Sequence, residues 1–144
     1  MNTSTIRILL ALFMIAHGLV HLSLTLVPAP QPGGMHTPFW PGWWRTDTDP
    51  AWLASRMGLS TNAVRTAGWL LWMAALVAFV LAGLGRLGLP GLAALWAPLA
   101  AAGSLASLIL LAFYWHPWFI AAAGINLILL AGIWMHWPAS VFTK

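Results

Sequence analysis

The sequence predicts an all-α integral membrane protein, a four-transmembrane-helix bundle with a long Pro/Trp-rich first loop. Three observations carry that prediction. Charged residues make up 6% of the chain and hydrophobic residues 61%, whereas a soluble domain carries about 25% charged residues. The mean hydropathy is +0.86. Four apolar stretches each reach the ~20 residues that a helix needs to cross a hydrocarbon core of roughly 30 Å. The 144 residues suit a single membrane domain.

The first span is expected from about Ile8 to Val27 and holds no charge. Pro28 and Pro30 stop it, because proline disfavours a helical residue before it and cannot donate to the helix. The apolar run is longer than the 7–15 residues of a signal peptide, and a proline cluster follows it in place of an A-x-A site. It reads as a retained helix.

Residues 28–60 form the first loop, with six of the ten prolines and four of the eleven tryptophans, Trp40, Trp43, Trp44 and Trp52. A loop that aromatic belongs in the headgroup layer or against another protein, so these four residues are the expected partner-binding surface. Asp49 followed by Pro50 reads as an N-cap and first helical position. A short interfacial helix is expected from about Ala51 to Leu59. Loops this long tend to be functional or disordered.

Ser60 or Thr61 can cap the second helix, whose span is expected at about 67–85. Gly83, Gly85, Gly88 and Pro90 mark the turn after it. From Leu87 to Thr143 there is no Asp, Glu, Lys or Arg. That stretch is too long for one crossing, and Tyr114-Trp115-His116-Pro117 is its natural turn. The third span is then about 90–114 and the fourth about 118–137. Pro98 is expected to kink the third helix mildly, and Pro138 closes the fourth. Trp115 and Trp118 suit one membrane surface, and Trp134 and Trp137 the other.

Charge and cysteine exclude several functions. The six basic residues, Arg7, Arg45, Arg56, Arg65, Arg86 and Lys144, are scattered. No basic patch is available for nucleic acid. There is no cysteine and no glutamate, and the only carboxylates are Asp47 and Asp49. Buried-carboxylate proton relays and thiol chemistry therefore have no residues to carry them. No phosphate-cradling Gly-Lys loop and no H-E-x-x-H is present. Three cations lie on each side of the membrane in this topology. The short segments on the terminal side favour cytoplasmic termini.

The histidines are the candidate chemistry. His17 and His21 are four residues apart and share a helix face. His36 and His116 lie toward the same side of the membrane, and His136 lies at the opposite surface. Ionisable residues inside a bilayer usually face the bundle interior. An i, i+4 pair can hold a metal, with His116 as a third ligand, or a haem. It can equally contact quinone, or donate and accept interhelical hydrogen bonds. Asn126 in the fourth span and Ser104 or Ser107 in the third are the available partners, so the cofactor set is His17, His21 and Asn126. Gly103 and Ser107 form a small-xxx-small pair that lets helices approach closely.

The stretch Arg7-Ile-Leu-Leu-Ala-Leu-Phe-Met-Ile-Ala-His17-Gly-Leu-Val-His21-Leu22 resembles the opening helix of DoxX-like and DoxD-like small bacterial membrane proteins. The likeness is confined to Arg7–Leu22. His21 stands where that pattern commonly has Lys, and the second span lacks the usual Glu. The resemblance implies a four-helix protein of the bacterial inner membrane, linked to quinone-coupled sulfur oxidation or to membrane redox complexes.

Two functional readings follow. In the first, the chain is a non-catalytic accessory subunit of a larger respiratory or photosynthetic membrane complex. It would contact lipid and other membrane subunits or a second copy, and hold no cofactor. In the second, it binds a metal, haem or quinone through His17 and His21. A small transporter ranks last, because the two halves show no internal repeat. The facing of His17 and His21 discriminates: rings lining one interior pocket with Asn126 favour binding, and rings on an outer surface favour partner contact.

Overall fold

The computed structural model describes residues 2–26, 56–115 and 119–137. Among the described residues four long helices stand out: α1 (Thr3–Leu26), α2 (Thr61–Arg86), α3 (Trp96–Phe113) and α4 (Ile120–Met135). The first three are long and apolar enough to cross a membrane. The fourth has 16 residues. At 1.5 Å per residue it extends roughly 24 Å, short of a hydrocarbon core, so the expected fourth full span is reduced to a shorter apolar helix.

Each helix end has a local cause. Asn2 caps α1, its Oδ1 accepting from the Ser4 N–H at 2.7 Å. Ser60 caps α2 as expected, its Oγ accepting from the Ala63 N–H at 3.3 Å. Gly83 and Gly85 do not form the turn assigned to them; α2 continues through both to Arg86. The turn begins at Leu87, and the φ of 96° at Gly88 excludes most side chains there. Residues 90–95 are turns, so α3 starts six residues later than expected, at Trp96. Pro98 then falls in the first helical turn, where backbone N–H groups lack intrahelical acceptors anyway, and no kink is required. His136 ends α4 in the left-handed conformation (φ 49°). The Trp137 N–H reaches back to the Gly132 carbonyl at 2.9 Å, a Schellman-type stop.

The interfacial helix expected to end at Leu59 is helical at Arg56, but residues 57–59 are turn and irregular chain, and Gly58 has φ +66°. The rest of that helix lies outside the described residues. So do His36, the four loop tryptophans, His116 and Trp118.

Packing runs in chain order: α1 on α2, α2 on α3, α3 on α4. The outer faces are apolar, with Leu12, Leu70, Val77, Leu105 and Ile128 all more than half exposed. Contiguous apolar surface of this extent belongs in lipid, which supports an integral membrane protein in contact with the bilayer. Lipid chains are as apolar as leucine, so helix association here rests on close packing and hydrogen bonds. Gly83 supplies one such approach. A Cβ there would stand 2.5 Å from Ile15 Cγ1 and 2.8 Å from the Ala11 carbonyl of α1.

Candidate functional site

The core has three storeys. At the end holding the α1 N-terminus, Met14, Ala82 and Ala100 form an apolar cluster with Trp96 and Ile133 packed on it. At the other end, Leu110 and Tyr114 pack with Leu71, Trp72 and Phe113. Between them lies a polar storey made of His17 and His21 from α1, Ser104 and Ser107 from α3, and Asn126 from α4. Asn126 and Ser104 are fully buried, Ser107 is 2% exposed and His21 5%.

Phe79 of α2 anchors this storey, although nothing in the sequence reading singled it out. It is fully buried. A Cβ on Gly18 of α1 would stand 3.1 Å from Phe79 Cβ, and one on Gly103 of α3 would stand 3.1 Å from its ring. Glycine on both neighbouring helices therefore admits the ring. The His17 ring meets Phe79 edge-on at 4.7 Å between centroids, and Phe13 stacks on its other side at 5.9 Å.

The hydrogen bonds form a directed chain. Asn126 Nδ2 donates to the Ala122 carbonyl at 2.9 Å and to Ser107 Oγ at 2.9 Å, using both amide protons. His21 Nδ1 lies 3.0 Å from the His17 carbonyl. A carbonyl only accepts, so Nδ1 carries the proton. In the neutral ring Nε2 is then a bare acceptor, and Ser107 donates its hydroxyl to it at 3.2 Å. Every donor in the chain Asn126–Ser107–His21–His17 points the same way. Three helices are joined in this way: Asn126 of α4 to Ser107 of α3, and Ser107 to His21 of α1.

Three polar atoms remain open. His17 Nε2, Asn126 Oδ1 and Ser104 Oγ are buried without a hydrogen bond. The His17 and Asn126 side chains are near enough to interact. An unsatisfied buried polar group costs about 1–3 kcal/mol. Side chains span the seam between α1 and α4: Ile133 of α4 packs against the cluster that holds Met14 of α1.

The structure thus places His17, His21 and Asn126 in one polar storey. It does not aim the two imidazoles at a common point. Their rings stand edge to face at 5.3 Å and 82°, and both nitrogens of His21 are occupied within the bundle. Among the described residues no group of three His, Cys, Asp or Glu is placed to hold a metal ion; His116 lies outside them. Ser107 was legible as a hydrogen-bond partner and as half of a small-residue pair, and it fills both roles. Comparison with protein-family models, curated proteins and solved structures finds no match.

Proposed function

We propose that this chain is a small membrane protein that binds a neutral, lipid-soluble ligand carrying a carbonyl or hydroxyl, of the quinone/quinol class, at His17 and Asn126. The observation that carries this reading is that His17 Nε2 and Asn126 Oδ1 are both buried in the polar storey without a hydrogen-bond partner. The Nε2–H tautomer of His17 would donate to a quinone carbonyl. Asn126 Oδ1 would accept from a quinol hydroxyl. The same two atoms thus suit both forms of one ligand. Access comes from the bilayer, since Phe13, stacked on His17, is 40% exposed. A metal or haem fits the pair less well, since His21 already uses both ring nitrogens.

The accessory-subunit reading keeps one specific support. Asn126 is the buried residue of α4, while Ile120, Ile128, Trp134 and Met135 are each about 70% exposed or more. A short helix that packs mainly on α3 and leaves so much apolar surface open suits a position beside another subunit.

The test is titration of the purified protein in mild detergent with a short-chain ubiquinone analogue, read by tryptophan fluorescence. Saturable quenching, weakened at least tenfold in His17→Ala and Asn126→Ala, is the expected result. Linear, non-saturable quenching that is the same in His17→Ala would overturn the binding reading. A stoichiometric protein partner retained from native membranes in that case would establish the accessory role.

A further inference from the structure

The polar storey holds one open side chain that has no role in the proposed binding. Ser104 of α3 is fully buried, and its Oγ makes no hydrogen bond. Helix register fixes its level. His21 of α1 meets Ser107 of α3 at 3.2 Å, and Met14 of α1 shares an apolar cluster with Ala100 of α3. Ser104 lies between Ala100 and Ser107, as His17 and Gly18 lie between Met14 and His21, so Ser104 stands level with His17 and Gly18. Phe79 gives the same level independently, since a Cβ on Gly18 and one on Gly103 would each stand 3.1 Å from it. Ala100, Ser104 and Ser107 follow the spacing of one helix face, the face on which Ser107 meets both His21 and Asn126.

Three helices thus bring one open polar atom each to this storey: His17 Nε2 from α1, Ser104 Oγ from α3 and Asn126 Oδ1 from α4. Their capacities differ. Asn126 spends both amide protons on Ala122 and Ser107, so the end left open is an oxygen that only accepts. The Ser104 hydroxyl can donate one proton, and the Nε2–H tautomer of His17 another. Two donors and one acceptor are the complement of a hydroxyl group, whose oxygen accepts twice and donates once. A carbonyl oxygen takes both donated protons and returns none. It leaves Asn126 Oδ1 buried and unpaired, at a cost in affinity. A site built to pair a ligand hydroxyl discriminates well against the analogue that lacks it.

We infer that Ser104 is the third contact of the ligand site, and that the three atoms select the hydroxyl-bearing, reduced form of the ligand, a quinol over the matching quinone. The inference rests on the binding reading of His17 and Asn126 and adds to it which oxidation state the site holds. The quinone still enters, held by the two donors alone. Occupancy of the protein then rises as the surrounding ligand pool becomes reduced.

The test is isothermal titration of the full chain in mild detergent, under nitrogen, with decylubiquinol and with decylubiquinone, each corrected by titration into detergent alone. The quinol should bind about tenfold more tightly, the worth of one buried acceptor left unpaired by the quinone. Ser104→Ala should weaken both forms about fivefold, the worth of one neutral hydrogen bond, because its hydroxyl donates to either oxygen. The unfolding midpoint of ligand-free Ser104→Ala should stay unchanged or rise, which a purely structural serine would not allow. Equal affinity for the two forms, or tighter binding of the quinone, would overturn the selection; this comparison is made on the unaltered chain and needs no variant to fold. Saturable binding that His17→Ala weakens and Ser104→Ala does not would remove Ser104 from the site and leave the His17–Asn126 reading standing. No saturable heat from either form would end that reading and this inference together.

Discussion

Asn126 donates its amide to Ser107 Oγ at 2.9 Å across the α3–α4 contact, with both side chains sealed from the surroundings. This bond joins the least embedded helix to the rest of the bundle. α4 packs on α3 and buries Asn126. The amide's other proton goes to Ala122 within α4, which fixes which end of the side chain faces Ser107.

Replacing Asn126 with leucine should therefore loosen α4 selectively. Interhelical hydrogen bonds in membranes average about 0.6 kcal/mol and reach ~1.7, a modest figure against a whole bundle. It is a larger share of what holds α4, whose main packing partner is α3. Hydrogen exchange in detergent should show faster exchange in residues 120–135, with α1 and α2 unchanged. A double-mutant cycle with Ser107→Ala should give a coupling within that range. Uniform acceleration across all four helices would contradict the arrangement.

Gly83 tests the close approach of α1 and α2. A methyl group at this position meets Ile15 Cγ1 at 2.5 Å and, at 2.8 Å, the backbone carbonyl of Ala11. The isoleucine end can rotate, but the carbonyl belongs to a helix and cannot. Gly83→Ala should cost about 1–3 kcal/mol by overpacking, despite alanine's better helix propensity of roughly 1 kcal/mol. The unfolding midpoint in detergent should fall. The same substitution at Gly124, where a Cβ has nothing within 4 Å, should leave the midpoint unchanged or raised.

Much of this was legible in the sequence and some was not. Uncharged runs locate α1 and α2 because charge is excluded from the hydrocarbon. The same signal overextended α3, since Pro90 to Leu95 is equally apolar yet forms turns after Gly88 and around Gly91, both at positive φ. Hydropathy reports what tolerates lipid, and backbone geometry decides what is helical. Four-residue spacing put His17 and His21 on one face, and the polar side chains of Ser107 and Asn126 marked them as partners. Phe79 was hidden, because one phenylalanine in an apolar helix carries no signal; its place depends on Gly18 and Gly103 of two other helices. The contact in which Arg7 Nη2 donates to the Arg86 carbonyl at 3.4 Å was hidden too, since only folding brings the start of α1 beside the end of α2.

Tyr114 offers a pH-dependent observable. It is the only tyrosine in the chain, lies just beyond α3, is 7% exposed and stacks with Trp72 at 6.1 Å. Burial pushes its phenol up from the ordinary value of 10.0. A raised folded-state value means that the folded protein keeps a proton the unfolded chain has lost. The resulting stability contribution is fully present below about pH 10 and is lost as pH climbs through the folded value. The phenolate difference spectrum of the folded protein should therefore rise later than that of the denatured protein. Trp72→Ala should narrow the gap, and coincident titration curves would contradict the buried placement.

The two histidines of α1 should separate cleanly. His21 has both nitrogens engaged, so His21→Leu leaves Ser107 without its acceptor and should lower the unfolding midpoint. His17 has a buried Nε2 without a partner, so its imidazole carries a penalty of about 1–3 kcal/mol that an apolar ring of similar shape removes. His17→Phe should thus fold with unchanged or higher stability in ligand-free detergent, while losing saturable binding of the ubiquinone analogue. Packing favours that outcome, because Phe13 and Phe79 already flank the site with aromatic surfaces. Natural proteins retain destabilising polar groups where function needs them, and a His17→Phe variant that is more stable and cannot bind is the signature of such a residue. If His17→Phe instead unfolds as readily as His21→Leu, His17 belongs to the structural network, and its open nitrogen has no ligand to serve.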